Sequence, residues 1–267
     1  SRPGIDIRRP SLDSSGMLEI SFIPAFKDNY IWLLRRGDRA VVVDPGDAEP
    51  VVARLRAEGL QLEAILITHH HADHQGGVTA LQATWPARVY APAAESITGC
   101  TDPLRGGEQV VVLDQICSVL AVPGHTLGHL AYVIPGAVFC GDTLFGAGCG
   151  RLFEGTPAQM AGSLDRLDAL PADTLIYCAH EYTLANLRFA QAVEPGNARI
   201  RERVAAVSAA REQGTPSVPS PLAVERDTNP FLRCRQPAVI AAAQRRGALS
   251  GDPVTVFAAI RQWRNEF

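Results

Sequence analysis

Residues 64–77 read AILITHHHADHQGG. An apolar run of strand type stops at four histidines and an aspartate, and a pair of glycines follows. His69, His71, Asp73 and His74 do not share the i, i+4 face of one helix, so the stretch predicts a tight strand-to-helix loop. Gly76 and Gly77, lacking a Cβ, let the following helix pack closely. Imidazole nitrogen and carboxylate oxygen are the donors that hold zinc and similar divalent ions at neutral pH.

All seven histidines lie between His69 and His180. His125 and His129 fall in Pro123-Gly124-His125-Thr126-Leu127-Gly128-His129, and His180 in Cys178-Ala179-His180-Glu181. Asp142 falls in Phe139-Cys140-Gly141-Asp142-Thr143. Each group follows an apolar run, at 64–67, 118–122, 137–140 and 175–178. Strand ends along one edge of a sandwich bring their loops to a common place. A lone histidine is usually a hydrogen-bonded core or surface residue, and a lone aspartate a turn or cap residue. Four such groups at four strand ends instead predict a metal site, and two neighbouring ions can share a hydroxide of lowered pKa.

Outward from that site, strands are predicted at 18–24, 30–34, 40–43, 64–68, 88–90, 109–112, 117–122, 131–134, 137–140 and 174–178. Helices are predicted at 48–58, 76–84 and 157–169. Hairpin-like pairs mixed with helical crossovers make this an α/β sandwich and not a plain βαβ repeat. After His180 the texture changes. Residues 182–193, 197–213, 237–247 and 253–265 read as helices, and 214–221 as a turn or linker rich in Gly, Pro and Ser. That part holds no histidine, which suits a cap shaping a substrate site. Three parts are expected: a leader at 1–16, a sandwich at 17–180 and a helical unit at 181–267.

The chain has 267 residues, 46% of them hydrophobic, and a formal net charge of -3. That supports a sizeable core and gives no basic face for nucleic acid or an anionic membrane. No apolar run reaches the ~18 residues of a membrane span. Cys100, Cys117, Cys140, Cys149, Cys178 and Cys234 form no CxxC pair. Reduced thiols packed as small core residues are therefore expected, and with them a cytoplasmic location. A monomer is expected.

The spacing His69-x-His71-x-Asp73-His74, with His125, Asp142 and His180 in that order, resembles the metallo-β-lactamase superfamily. The resemblance implies a four-layer αββα sandwich with the metals at one edge. It implies that His69, His71 and His125 bind one ion, that Asp73, His74 and His180 bind a second, and that Asp142 bridges them. His70 and His129 do not match ligand positions and are expected to pack or to hydrogen-bond to ligands.

A narrower resemblance covers residues 17–267. Ile23-Pro24-Ala25-Phe26, Asp28-Asn29-Tyr30, Gly141-Asp142-Thr143-Leu144-Phe145, Gly148-Cys149-Gly150-Arg151, Phe153-Glu154-Gly155-Thr156, His180-Glu181-Tyr182-Thr183 and Asn229-Pro230-Phe231-Leu232-Arg233 are similar to the glyoxalase II family. That family implies hydrolysis of S-D-lactoylglutathione to glutathione and D-lactate, the second step of methylglyoxal detoxification. A metal-bridging hydroxide would attack, with Asp73 and Asp142 as the catalytic carboxylates. Two divalent ions are implied, zinc first, with iron or manganese accepted by the same donors. Arg151, Phe153, Tyr182, Arg261 and Arg264 would face the glutathione moiety. The chain departs from the family where Arg264 replaces a lysine, and it has Phe153 where some members have a tyrosine. Rival readings are another hydrolase of the same fold, a glutathione persulfide dioxygenase, or a non-catalytic metal- or glutathione-binding module. The complete set of seven ligand-type residues argues against the last.

Overall fold

A computed structural model describes residues 16–267. The expected leader, apart from Gly16, lies outside the described residues. Two six-stranded sheets face each other. The first runs β1 (Glu19–Ala25), β2 (Asn29–Arg36), β3 (Arg39–Val43), β4 (Gln61–Leu66), β5 (Arg88–Pro92) and β6 (Asp102–Leu104) in spatial order. Its first two pairings are antiparallel and the rest parallel. Parallel pairing needs crossovers. Helix α1 (Ala48–Ala57) supplies the one between β3 and β4, and α2 (Ala72–Gln75) with α3 (Val78–Thr84) the one between β4 and β5.

The second sheet is built on β7 (Gln109–Val112), β8 (Gln115–Ala121), β9 (Leu130–Ile134) and β10 (Ala137–Gly141). After a small hairpin of β11 (Leu144–Phe145) and β12 (Gly148–Cys149), helix α4 (Pro157–Asp168) crosses over to β13 (Leu175–Cys178). β13 pairs parallel to β10, and β14 (Ser220–Pro221) closes the edge. Thr156 starts α4 with a reciprocal capping box to Gln159, and Pro157 takes the first turn, where its missing N–H costs nothing.

β2 explains the layering. Trp32 and Leu34 point into the core shared by the two sheets, whereas Ile31 and Leu33 pack with Val51 and Leu55 of α1 and Leu81 of α3. A strand buried on both faces reads as a continuous apolar run. Val119, Tyr132, Phe139 and Tyr177 stand opposite one another in register across the second sheet. Tyr132 Oη donates to the Ile67 carbonyl at 2.6 Å, and Trp32 Nε1 to the Cys178 carbonyl at 2.8 Å. Both bonds tie the sheets together next to ligand-bearing loops.

The remaining helices are α5 (Thr183–Val193), α6 (Ala198–Glu212), α7 (Leu222–Thr228), α8 (Pro237–Arg245) and α9 (Pro253–Glu266). They dock on the β11–β12 hairpin through a buried polar group. Glu225 accepts from Arg203 Nη2 at 2.6 Å and from the Ala147 amide at 2.7 Å. Asn229 Nδ2 donates to the carbonyls of Phe145 and Gly148.

Residues 214–221, expected as a turn or linker, start in a turn and are then held against the sandwich. Ser217 hydrogen-bonds to Glu181, and Ser220 and Pro221 pair with β13 as the sheet edge, a place where prolines fit a ladder. All six cysteines are free. Among the described residues no helix is long and apolar enough to cross a membrane.

Candidate metal centre

The C-terminal ends of β4, β8, β10 and β13 meet at one edge of the sandwich. β4 leads into His69–His71 and into α2, which carries Asp73 and His74. Gly77 lets that helix sit against the loop after β3. Its amide donates to the Pro45 carbonyl at 2.9 Å, and a Cβ there would stand 2.6 Å from that oxygen. β8 leads to His125, the end of β10 to Asp142, and β13 to His180.

Asp142 occupies the centre. Its Oδ2 lies 3.3 Å from His74 Nε2, 3.4 Å from His125 Nε2 and 3.7 Å from His69 Nε2. Its Oδ1 lies 3.3 Å from His180 Nε2. His71 Nδ1 stands 3.2 Å from His125 Nε2. On the other side, Asp73 Oδ2 lies 3.2 Å from His74 Nε2 and 3.4 Å from His180 Nε2. The donors thus form two groups: His69, His71, His125 and Asp142, and Asp73, His74 and His180. The structure brings all seven expected ligand residues together.

The outer ring nitrogens decide how the inner ones are presented. Thr68 Oγ1 donates to Asp44 Oδ2 at 2.7 Å, so its lone pair accepts from His69 Nδ1 at 2.9 Å. His74 Nδ1 stands 2.9 Å from Asp44 Oδ2, His180 Nδ1 2.9 Å from Asp28 Oδ1, and His125 Nδ1 2.7 Å from the Arg151 carbonyl. Each acceptor fixes the proton on Nδ1 and turns an Nε2 lone pair inward, the usual support for a metal-binding imidazole. His69 Nε2, His74 Nε2 and Asp142 Oδ1 are buried with no hydrogen-bond partner. Orphaned donor atoms of ligand type, converging from several loops, fit a bound cation.

Charge points the same way. Burial alone would raise the pKa of Asp142, but His74 and His180 outweigh it and hold the carboxyl well below its ordinary range. For His74, burial is overcome by Asp142 and Asp44, and its pKa rises. Carboxylates Asp44, Asp73 and Asp142 around one imidazole call for positive charge, which a divalent ion supplies in place of protons. His129 differs. Burial pushes it down to about 3, and its neutral ring accepts from the Asp142 amide at 3.2 Å while lying against His69.

Beside the donors opens a cavity of about 410 Å³. Tyr182 stacks on His180 with the rings 4.8 Å apart, and Phe153 stands edge-on to His71 and His125. Arg151, Arg261 and Arg264 also line it, as do Asn186 and Cys149. Arg264 donates to Asn186 Oδ1. Burial, then repulsion from Arg261 and Arg151, lowers its pKa. Arg261 is buried and largely engaged, with Nη1 on the Cys149 carbonyl at 2.6 Å and Nη2 on Asn265. The residues expected at the substrate therefore all line one cavity, with Arg261 serving its wall. The orienting groups Asp28, Asn29, Asp44 and Thr68 had no predicted role. Asp44 was accessible to the same reasoning, because it too follows an apolar run at 40–43.

Residues 26–116 and 118–180 match the metallo-beta-lactamase superfamily profile, and residues 181–267 match the hydroxyacylglutathione hydrolase C-terminus. The hydroxyacylglutathione hydrolase of Dechloromonas aromatica is 66% identical over 265 residues, covering 94% of this chain and all of the relative. That of Alkalilimnicola ehrlichii is 57% identical with the same coverage. The crystal structure of ETHE1 from Myxococcus xanthus superposes with a TM-score of 0.63 at 25% identity, over 93% of this chain and 98% of that one. A di-iron-bound crystal structure, that of TTHA1623, is 32% identical, with a TM-score of 0.50 over 57% of this chain and 87% of its own. The chain belongs to the hydroxyacylglutathione hydrolase family of the metallo-beta-lactamase superfamily.

Proposed function

We propose that this protein hydrolyses the thioester of S-(2-hydroxyacyl)glutathiones, S-D-lactoylglutathione first, to glutathione and a 2-hydroxy acid, so serving methylglyoxal detoxification. The observation that carries the reading is the seven-donor centre opening into a cavity whose lining includes three arginines, in a chain 66% identical to a hydroxyacylglutathione hydrolase. His69, His71 and His125 would hold one ion, Asp73, His74 and His180 a second, and Asp142 both. When bound, two divalent ions supply an activated water at neutral pH and polarise the carbonyl. We propose zinc as the occupant; the same donors take iron, which a relative carries in its di-iron form.

The chain's own side chains do the rest. Asp73 is held ionised by His74 and by the Asn29 amide 3.0 Å away, against the opposing effect of burial. It borders the cavity as a permanent carboxylate beside the donors that would hold the second ion. Arg151 and Arg264 offer planar donors to the carboxylates of glutathione, and Tyr182 and Phe153 wall the thioester between them. A glutathione thiol has a pKa near ~8.5, so it leaves as the thiolate without a strong acid beside it. The C-terminal helices, residues 181–267, provide Tyr182, Asn186 and Arg264 and form the glutathione-binding part.

The test is hydrolysis of S-D-lactoylglutathione by metal-analysed protein, with and without chelator. Fast turnover with about two metals per chain, lost on chelation and restored on reloading, supports the reading. Metal-replete protein without thioesterase activity overturns it.

A further inference from the structure

His70 stands in the middle of the ligand run yet is absent from both donor groups at Asp142. Its Nε2 lies 2.6 Å from Glu154 Oε2, and the other oxygen of Glu154 accepts from the Leu127 amide at 3.0 Å. Glu95 closes the same network, with Oε1 on the His70 amide at 2.8 Å and Oε2 on the Gly128 amide at 2.7 Å. Two carboxylates therefore fasten the loop of His69–His74 to the loop of His125. Glu154 brings in a third segment, residues 150–156, which has no helix or sheet ladder of its own. That segment carries Arg151 and Phe153. Its other ties include the Gly150 amide on the Thr143 carbonyl, the Arg151 carbonyl under His125 Nδ1, the Gly155 amide on the Gly124 carbonyl and the cap between Thr156 and Gln159. Phe153 lies between these ties, 63% exposed, with its ring 5.6 Å from His71 and 5.2 Å from His125.

We infer that His70 and Glu154 form a latch that holds Phe153 in place as a wall of the substrate cavity, setting affinity for the glutathione thioester without touching the reacting atoms. The inference rests on the proposed thioesterase reading. A charge-assisted bond is short and directional, and here it fixes an irregular segment that lines the cavity. Without it the segment keeps its ties at Arg151 and Gly155 and gains freedom at Phe153 and Glu154. The ligand must then order that stretch on binding, and affinity falls. His70 and Glu154 are positioning residues.

The pair is one-third exposed on each side, so His70→Ala and Glu154→Ala should fold, with melting temperatures close to the parent's. Each single variant and the double variant are compared for kcat, KM, bound metal and the Kd of glutathione by calorimetry. The latch predicts KM and the glutathione Kd raised about three- to tenfold in each single variant, the span given by losing one such contact. It also predicts kcat changed less than about twofold and a double variant no worse than either single one. Glu154→Gln, which keeps an acceptor for Leu127 and a hydrogen-bonding group for His70, should recover most of the affinity. Unchanged KM and glutathione affinity, additive single effects, or loss of metal in either variant overturns the latch. A parent protein that binds glutathione but cleaves no thioester sinks the thioesterase reading alone, because the Kd comparison still reads the latch. A parent that does neither sinks both.

Discussion

Asp142 offers Oδ2 to three imidazoles and Oδ1 to a fourth, and so reaches histidines of both donor groups. Replacing it with alanine is expected to remove turnover and lower the metal-to-chain ratio, measured together by assay and elemental analysis. Asp28 and Asp44 act one step further out, each receiving the outer nitrogen of a ligand histidine. Asp28→Asn keeps the bond to His180 as an amide acceptor but removes the charge behind it. Metal affinity at the Asp73, His74 and His180 group should fall by about 10–100-fold, the usual cost of losing such support. Competition with a fluorescent chelator reads this, and an unchanged affinity would show the Asp28 contact to be passive. The seven ligands were legible in the sequence because four lie within six residues and the others each end an apolar run. Asp28 was not, since it stands 152 positions from His180 and only the closed fold brings the two together.

At the scale of elements, the β11–β12 hairpin and the segment after it contribute Phe145, Cys149, Arg151 and Phe153 to the cavity beside the donors. Gly150 begins that segment, and a Cβ there would fall 1.9 Å from the Asp142 carbonyl oxygen and 3.0 Å from His125 Nδ1. Backbone cannot yield as a flexible side chain does. Gly150→Ala should therefore cost upwards of about 1–3 kcal/mol and reduce bound metal, whereas Thr156→Ala, which strips the cap of α4, should cost ~1 kcal/mol with metal content intact. Thermal melts with elemental analysis of both variants separate the two effects. The long elements were readable, because α1, α4 and the strands β2, β3, β9 and β10 each carry a clear period or an unbroken apolar run. β6, β11, β12, β14 and α2 were missed for a simple reason. Two to four residues cannot show a period, and tertiary pairing alone makes them strands or a helical turn.

Over the whole molecule, one buried carboxylate joins the helices to the sandwich. Glu225 is fully buried and bonded to Arg203, Ser220, Asn229 and the Ala147 amide. Burial favours its neutral form, but Arg203 outweighs that and the pKa is lowered. A carboxyl depressed by folding contributes stability that is present above its unfolded pKa of ~4.3 and is lost as pH falls through the lower folded value. Glu225→Gln should cost about 3–5 kcal/mol, because it leaves Arg203 buried without its partner. That corresponds to roughly 10 °C in Tm for a chain of this size. The gap between parent and variant should narrow as the pH is taken below 4; a constant gap would mean that charge is not what Glu225 contributes.

The donors are drawn from both sheets. His69, His71, Asp73 and His74 hang from the first, and His125, Asp142 and His180 from the second. Any ion bound there is consequently a crosslink across the sandwich. The two halves can then part only by ejecting it, so amide protons deep in β4 and β13 should exchange with solvent deuterium more slowly in loaded protein than in stripped protein, and the enzyme's lifetime in a metal-poor environment becomes a property of how often its sheets breathe.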